Sequence, residues 1–297
     1  MGISGREQHR IQTFHRNGGL RHKIVPCGIG CGGGFAMEQT IIGYSTWGRP
    51  LLCRTGGAGC RRVLLCAAFH GSEWITELVL RRFLEELEGR TDWQRTAQLW
   101  AVPCVNPDGT ALSMGQLPVW SPQYLTAKAI AKEDAGFPST WKANGRGVDL
   151  NLNFPAGWER AVAIKGLCGP APRNWPGPCP FSEPESRSMA KLARRAQPDV
   201  LVTLHAQGEE IYWQYGGIVV PGAEALGQKM AKRSGYLLAE TPPESSYAGY
   251  KDWFIQEFHR PGYTVECGLG ENPLPIAQLD AIYRHVRPIL ELALLGE

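Results

Sequence analysis

Apolar and polar positions along this chain switch repeatedly between two periods. Arg62–Phe69 carries the unbroken apolar run Val63–Phe69, which predicts a strand covered on both faces. Directly after it, Glu73–Glu88 changes to helical spacing, with Trp74, Leu78, Phe83 and Leu87 separated by charges. Gln98–Val105 predicts a second strand, ended by the turn signal Asn106-Pro107-Asp108-Gly109. Residues 110–145, with several Pro and Trp, read as an irregular wall around a site. Ser182, with Glu185 three residues on, predicts a capped helix running to about Ala196. Asp199–Leu204 reads as a strand ending at His205, followed by a strand near Ile211–Gln214 and a helix over Ala223–Ser234. A short helix over Lys251–Phe258, a strand over Tyr263–Cys267 and a helix over Ile276–Leu295 complete the pattern.

Strands that alternate with helices in this way imply an α/β fold with a largely parallel sheet and helices on both faces. In such sheets a site lies beyond the carboxyl ends of strands. His70 and His205 both stand at such ends. Residues 1–36 are Gly-rich and weakly patterned, and read as an extension that docks on a single domain spanning 37–297.

Composition narrows the function. A formal net charge of +3, from 31 basic and 28 acidic residues, with no basic run, argues against nucleic acid as a partner. No stretch of about 18 apolar residues predicts a membrane span. The first residues lack the apolar segment of a secretory signal. Nine scattered cysteines, several in apolar strands, fit a reduced, cytoplasmic chain. Cys168 and Cys179 flank a Pro-rich loop and would pair in an exported protein; two free thiols is the plainer reading. The sequence leaves the oligomeric state open.

His70-Gly71-Ser72-Glu73 carries the most chemistry. A His and a Glu three residues apart at a strand end can both turn toward one metal ion. Hydrolytic zinc sites use three protein ligands and keep one position for water. His205 supplies the third. Such an ion lowers the pKa of water and polarises a carbonyl. A separate carboxylate is then needed as general base, and Glu266, in an otherwise apolar strand, is the candidate. His9, His15, His22, His259 and His285 carry no such pattern. Glu183 and Glu185 read as charges at a helix start.

The segments HGSE, NPDG, GVDLN, SEPE, LVTLH and YTVE occur in the order found in zinc carboxypeptidases, and the chain resembles that family over roughly residues 40–295. The resemblance implies a three-layer α/β/α sandwich around a mixed, mostly parallel eight-stranded sheet. It implies one zinc ion held by His70, Glu73 and His205, and a catalytic Glu266. The family's carbonyl-polarising arginine falls near Lys142, with Arg146 as a nearby substitute. Lys251 aligns with the residue that floors the pocket for the leaving residue, where a cation would select an anionic group. Tyr247 or Tyr250 corresponds to a mobile tyrosine that covers the site.

One departure shifts the expected substrate. Where the family reads Asn-Arg-Asn after GVD, this chain reads Asn151-Leu152-Asn153. Asn151 can still hydrogen-bond a carboxylate, but Leu152 cannot supply the Arg fork that grips a terminal one. With the Lys251–Phe258 and Glu266–Pro273 segments, this resembles the bacterial γ-D-glutamyl-diamino acid endopeptidase branch, which cuts peptidoglycan stem peptides between D-Glu and meso-diaminopimelate. With no wall-binding repeat, the chain is similar to the branch's intracellular members, linked to sporulation or muropeptide recycling. The competing readings are an ordinary metallocarboxypeptidase or N-acyl amino acid deacylase, and a muropeptide-binding protein that has lost catalysis.

Overall fold

A computed structural model describes residues 36–296. The expected extension, together with His9, His15 and His22, lies outside the described residues except for Ala36.

Among the described residues eight strands form one sheet: β1 (Glu38–Tyr44), β2 (Pro50–Gly56), β3 (Arg61–Ala67), β4 (Ala97–Val102), β5 (Val200–His205), β6 (Glu210–Tyr212), β7 (Leu237–Ala239) and β8 (Gly262–Glu266). Their spatial order is β1-β2-β4-β3-β5-β8-β6-β7. The central strands β4, β3, β5 and β8 are parallel, whereas β1–β2, β2–β4 and β6–β8 pair antiparallel. The sheet is therefore mixed, as expected, with a parallel block at its centre and a further parallel pair, β6–β7, at one edge.

Among the described residues there are eight α-helices, α1 (Ile75–Glu88), α2 (Pro107–Ser113), α3 (Pro122–Ala131), α4 (Trp158–Lys165), α5 (Pro184–Ala196), α6 (Ala223–Ser234), α7 (Tyr250–Phe258) and α8 (Leu279–Leu295), of which α1, α5, α6, α7 and α8 pack on the strands. The strand pleat sends alternate residues to opposite faces. Val63, Leu65 and Ala67 of β3 pack with Val202 and Leu204 against α1 and α8. Leu64 and Cys66 pack with Leu201 against Met189 of α5 and Tyr250, Trp253 and Phe254 of α7. That two-sided burial explains the unbroken apolar run.

Several local expectations change. The buried stripe of α1 runs through Ile75, Val79, Phe83 and Leu87, so Trp74 and Leu78 sit at its margin. Asn106-Pro107-Asp108-Gly109 opens α2 instead of ending in a turn: Asn106 Oδ1 accepts from Gly109 N, and Pro107 takes the first helical position. Residues 110–145 include the rest of α2 and all of α3, capped by Ser121. Glu183, not Ser182, precedes the first turn of α5. Ser182 Oγ instead donates to Glu183 Oε1. Among the described residues no disulfide forms, and Cys168 and Cys179 are free and exposed. Among them, too, no helix is long and apolar enough to cross a membrane.

Candidate metal centre and active site

The site lies at the carboxyl ends of the central parallel strands. After β3 the chain turns through Ala68, whose N–H donates to Thr76 Oγ1, while Thr76 Oγ1 donates to Glu73 O. This fixes a short 3-10 turn, Gly71–Glu73, before α1. Asn106 Nδ2 donates to the carbonyls of Phe69, Lys142 and Ala143, and ties three segments together. On the neighbouring parallel strands, His205 and Glu266 are register partners, so both reach the same end of the sheet at one level.

His70, Glu73 and His205 converge there, with one ligand atom from each within 4.8 Å of the others. His70 Nδ1 lies 2.7 Å from Glu73 Oε1, and His205 Nδ1 lies 3.1 Å from Glu73 Oε2. Glu73 is 1% exposed and His205 2%. Among the described residues no other group of His, Cys, Asp or Glu is arranged to hold a metal.

The donor set fits a zinc ion. It is two imidazoles and a carboxylate, the composition of open hydrolytic sites. Its electrostatics draw in positive charge. Burial opposes charging His70, but Glu73 and Asp149 outweigh it and push the imidazole up to about 10. Burial opposes ionising Glu73, but His70 and Lys142 hold its carboxyl well below the usual range. At His205 burial dominates and holds the pKa down, which favours the neutral ligand form. Its Nε2 is buried with no hydrogen-bond partner among the described residues, so the ring's one polar contact is from Nδ1 to Glu73.

Around these residues lies a cavity of about 310 Å³, lined also by Lys142, Asn151, Leu152, Lys251, Asp252 and Glu266. A larger hollow, about 630 Å³, lies between β1, β2 and α5 and contains no histidine, so volume does not locate the chemistry. Lys142 Nζ is 3.2 Å from Glu73 Oε1. Burial, then the charge of Glu73, pushes the Glu266 carboxyl up to about 8, with Lys142 and His70 opposing.

Other expected residues are placed differently. Arg146 lies outside the cavity lining, its Nε donating to Glu183 Oε2 at 3.0 Å. Of the two cations, only Lys142 reaches the site. Tyr250 cannot be a mobile cover: it is fully buried and donates its hydroxyl to Met189 O. Tyr247 packs edge-on to Tyr215 with the Arg160 guanidinium over its ring, and does not line the cavity. Lys251 lines the cavity but is ion-paired to Asp252 at 2.5 Å, so the wall there is not a free cation. Glu183 and Glu185, at the start of α5, are buried and share Asn144 Nδ2.

Asp149 escaped the sequence reading. Its Oδ1 accepts from His70 Nε2 at 3.0 Å, and its Oδ2 accepts from Asn174 N. Burial opposes its ionisation, but the charge and hydrogen bond of His70 hold it at about 2. Its place inside GVDLN, between motifs that hold the site, was the one available signal.

A mixed α/β sheet with this His-Glu-His set at its carboxyl edge defines a zinc metallopeptidase, and the chain belongs to the zinc carboxypeptidase family, whose match covers residues 35–287. It is a hydrolase with zinc as cofactor. It is 37% identical over 261 residues to gamma-D-glutamyl-L-diamino acid endopeptidase 1 of Lysinibacillus sphaericus, covering 84% of this chain and 65% of that protein. It is also 37% identical over 267 residues to the uncharacterized protein YqgT of Bacillus subtilis, covering 85% of this chain and 70% of that one. The chain thus spans about two thirds of these relatives' lengths. The fold matches that of bovine thrombin-activatable fibrinolysis inhibitor, in its complex with tick carboxypeptidase inhibitor, with TM-score 0.67 at 17% identity, over 88% of this chain and 90% of that one.

Proposed function

We propose that this metallopeptidase hydrolyses the bond between γ-D-glutamate and diaminopimelate in peptidoglycan stem peptides. The identity of 37% across 84% of the chain to the diamino acid endopeptidase carries this reading. Leu152 supports it. This side chain lines the cavity where an exopeptidase of the family needs an arginine for a terminal carboxylate, and it offers no charge.

In this reading His70, Glu73 and His205 hold the zinc, which supplies Lewis acidity for water and the scissile carbonyl. Asp149 holds a proton on His70 Nε2, which leaves Nδ1, facing Glu73, as the nitrogen that would hold the metal. Glu266 takes a proton from the attacking water and passes it to the leaving nitrogen as the C–N bond breaks. Burial and the charge of Glu73 raise this carboxyl, which suits its return of the proton to the leaving nitrogen. Lys142 supplies positive charge where the carbonyl oxygen becomes an oxyanion.

Incubation with L-Ala-γ-D-Glu-meso-diaminopimelate should release free diaminopimelate, and a chelator should stop the release until zinc is restored. Glu266→Gln should lower kcat by about 10²–10⁴-fold while the bound zinc is retained. No cleavage, or cleavage indifferent to chelation, refutes the reading.

A further inference from the structure

Lys251 and Asp252 are adjacent in the first turn of α7, and both line the cavity that contains His70, Glu73 and His205. They are 4% and 2% exposed. An ammonium has three N–H donors. Lys251 Nζ commits them to Asp252 Oδ1 at 2.5 Å, Gln214 O at 2.6 Å and Thr241 Oγ1 at 3.5 Å. Two donors are held by short bonds and the third points at Thr241 at the limit of bonding distance, so the ammonium is spent mainly on protein acceptors.

Asp252 is differently placed. Its Oδ1 accepts from Lys251, while its Oδ2 has no hydrogen-bond partner among the described residues. Gly249 keeps that oxygen reachable. A Cβ at Gly249, itself on the cavity wall, would stand 3.0 Å from Asp252 Oδ2 and 3.4 Å from Asn151 Oδ1. With hydrogen there, the space beside both side chains stays open.

Asn151 completes the arrangement. Its Oδ1 accepts from Tyr250 N at 3.0 Å, which orients the amide. Its Nδ2 donors then have no partner among the described residues. The wall thus offers a carboxylate acceptor beside an amide donor. Its complement is a head group carrying an ammonium and a carboxylate on one carbon.

We infer that Asp252 seats the side-chain ammonium of the diamino acid being released, with Asn151 beside it for the attached carboxylate. Lys251 is then a positioning residue that holds Asp252, not a cation that binds substrate. This rests on the γ-D-glutamyl-diamino acid reading and reverses the charge first expected of the pocket floor. It makes an ammonium, with or without the carboxylate, the feature that is selected.

The zinc-loaded full chain should be assayed on four γ-D-glutamyl peptides whose leaving residue is meso-diaminopimelate, L-lysine, L-norleucine or L-2-aminopimelate. These carry both charges, the ammonium alone, neither, and the carboxylate alone. The kcat/KM for diaminopimelate and lysine should exceed that for norleucine by about tenfold or more, as a charge-assisted hydrogen bond gives. The value for 2-aminopimelate should fall below that for norleucine. Asp252→Asn should bring the lysine-to-norleucine ratio toward one and raise 2-aminopimelate relative to lysine, an exchange of preference that a purely structural role does not produce. Lys251→Met should keep the preference for lysine without singling out 2-aminopimelate for loss. If a variant fails to fold, the four substrates on the unaltered protein decide. Equal use of lysine and norleucine, or of 2-aminopimelate and diaminopimelate, overturns the inference and leaves the parent reading standing. Cleavage of none of the four overturns both.

Discussion

Asp149 Oδ1 lies 3.0 Å from His70 Nε2, on the side of the ring away from Glu73. An imidazole whose outer nitrogen donates to a carboxylate has a fixed tautomer, a fixed orientation and a more basic inner nitrogen. Asp149 is itself held by the N–H groups of Asn151 and Asn174. Asp149→Ala should therefore weaken zinc affinity by about 10–100-fold, read by competition with a chromogenic chelator. Asp149→Asn, which preserves shape and one acceptor, should lose less. Unchanged affinity in both would show that His70 is oriented by its surroundings alone.

The glycine of HGSE has a steric cause. A Cβ on Gly71 would lie 2.4 Å from the carbonyl of Gly109 and 2.7 Å from the carbonyl of Trp141, both backbone atoms that cannot swing aside. The loop carrying His70 and Glu73 meets the start of α2 at a contact only hydrogens allow. Gly71→Ala should cost about 3 kcal/mol or more, at the upper end for overpacking, and lower Tm by roughly 6 °C or more. Gly169, with nothing within 4 Å of a built Cβ, is the control. Gly169→Ala should stay within about 0.5 kcal/mol of the parent. Equal melting of both variants would refute the packing argument.

The convergence of His70, Glu73 and His205 follows from two histidines at or just past the ends of apolar strands, with Glu73 one short turn beyond His70, because strand ends meet where a parallel sheet opens. The place of Glu266 beside His205 follows for the same reason. Asp149 was not legible, because its partner His70 is 79 residues away and nothing local marks the pairing. Asp252 was missed for a different reason. Helix neighbours one residue apart normally point apart, so Lys251 read as a lone charge, whereas the first turn of α7 folds its ammonium back onto Asp252. Asn106-Pro107 misled because the same residues that favour turns also cap helices, and only Asn106 Oδ1 accepting from Gly109 N decides between them. Glu183 and Glu185 read only as charges at a helix start because the group that satisfies them, Asn144, arrives from a distant loop.

That buried carboxylate pair gives the fold a pH dependence of its own. Glu185 Oε1 accepts from Thr46 N, and its Oε2 accepts from the Asn144 amide in the loop that carries Lys142. Burial, reinforced by Asp108 and Glu183, raises the Glu185 carboxyl from 4.5 to about 7 against the hydrogen bond from Thr46 N. Below pH 4.5 the folded and unfolded chains are both protonated there. Between that pH and about 7 the unfolded chain releases the proton while the folded chain keeps it, so stability falls as pH rises through this window. The loss is on the order of 3 kcal/mol. Glu185→Gln mimics the protonated form and should remove that decline. Urea unfolding at about pH 5 and pH 7.5 should therefore show the parent losing stability relative to the variant at the higher pH. A constant difference between the two proteins at both pH values would mean that Glu185 does not titrate in this window.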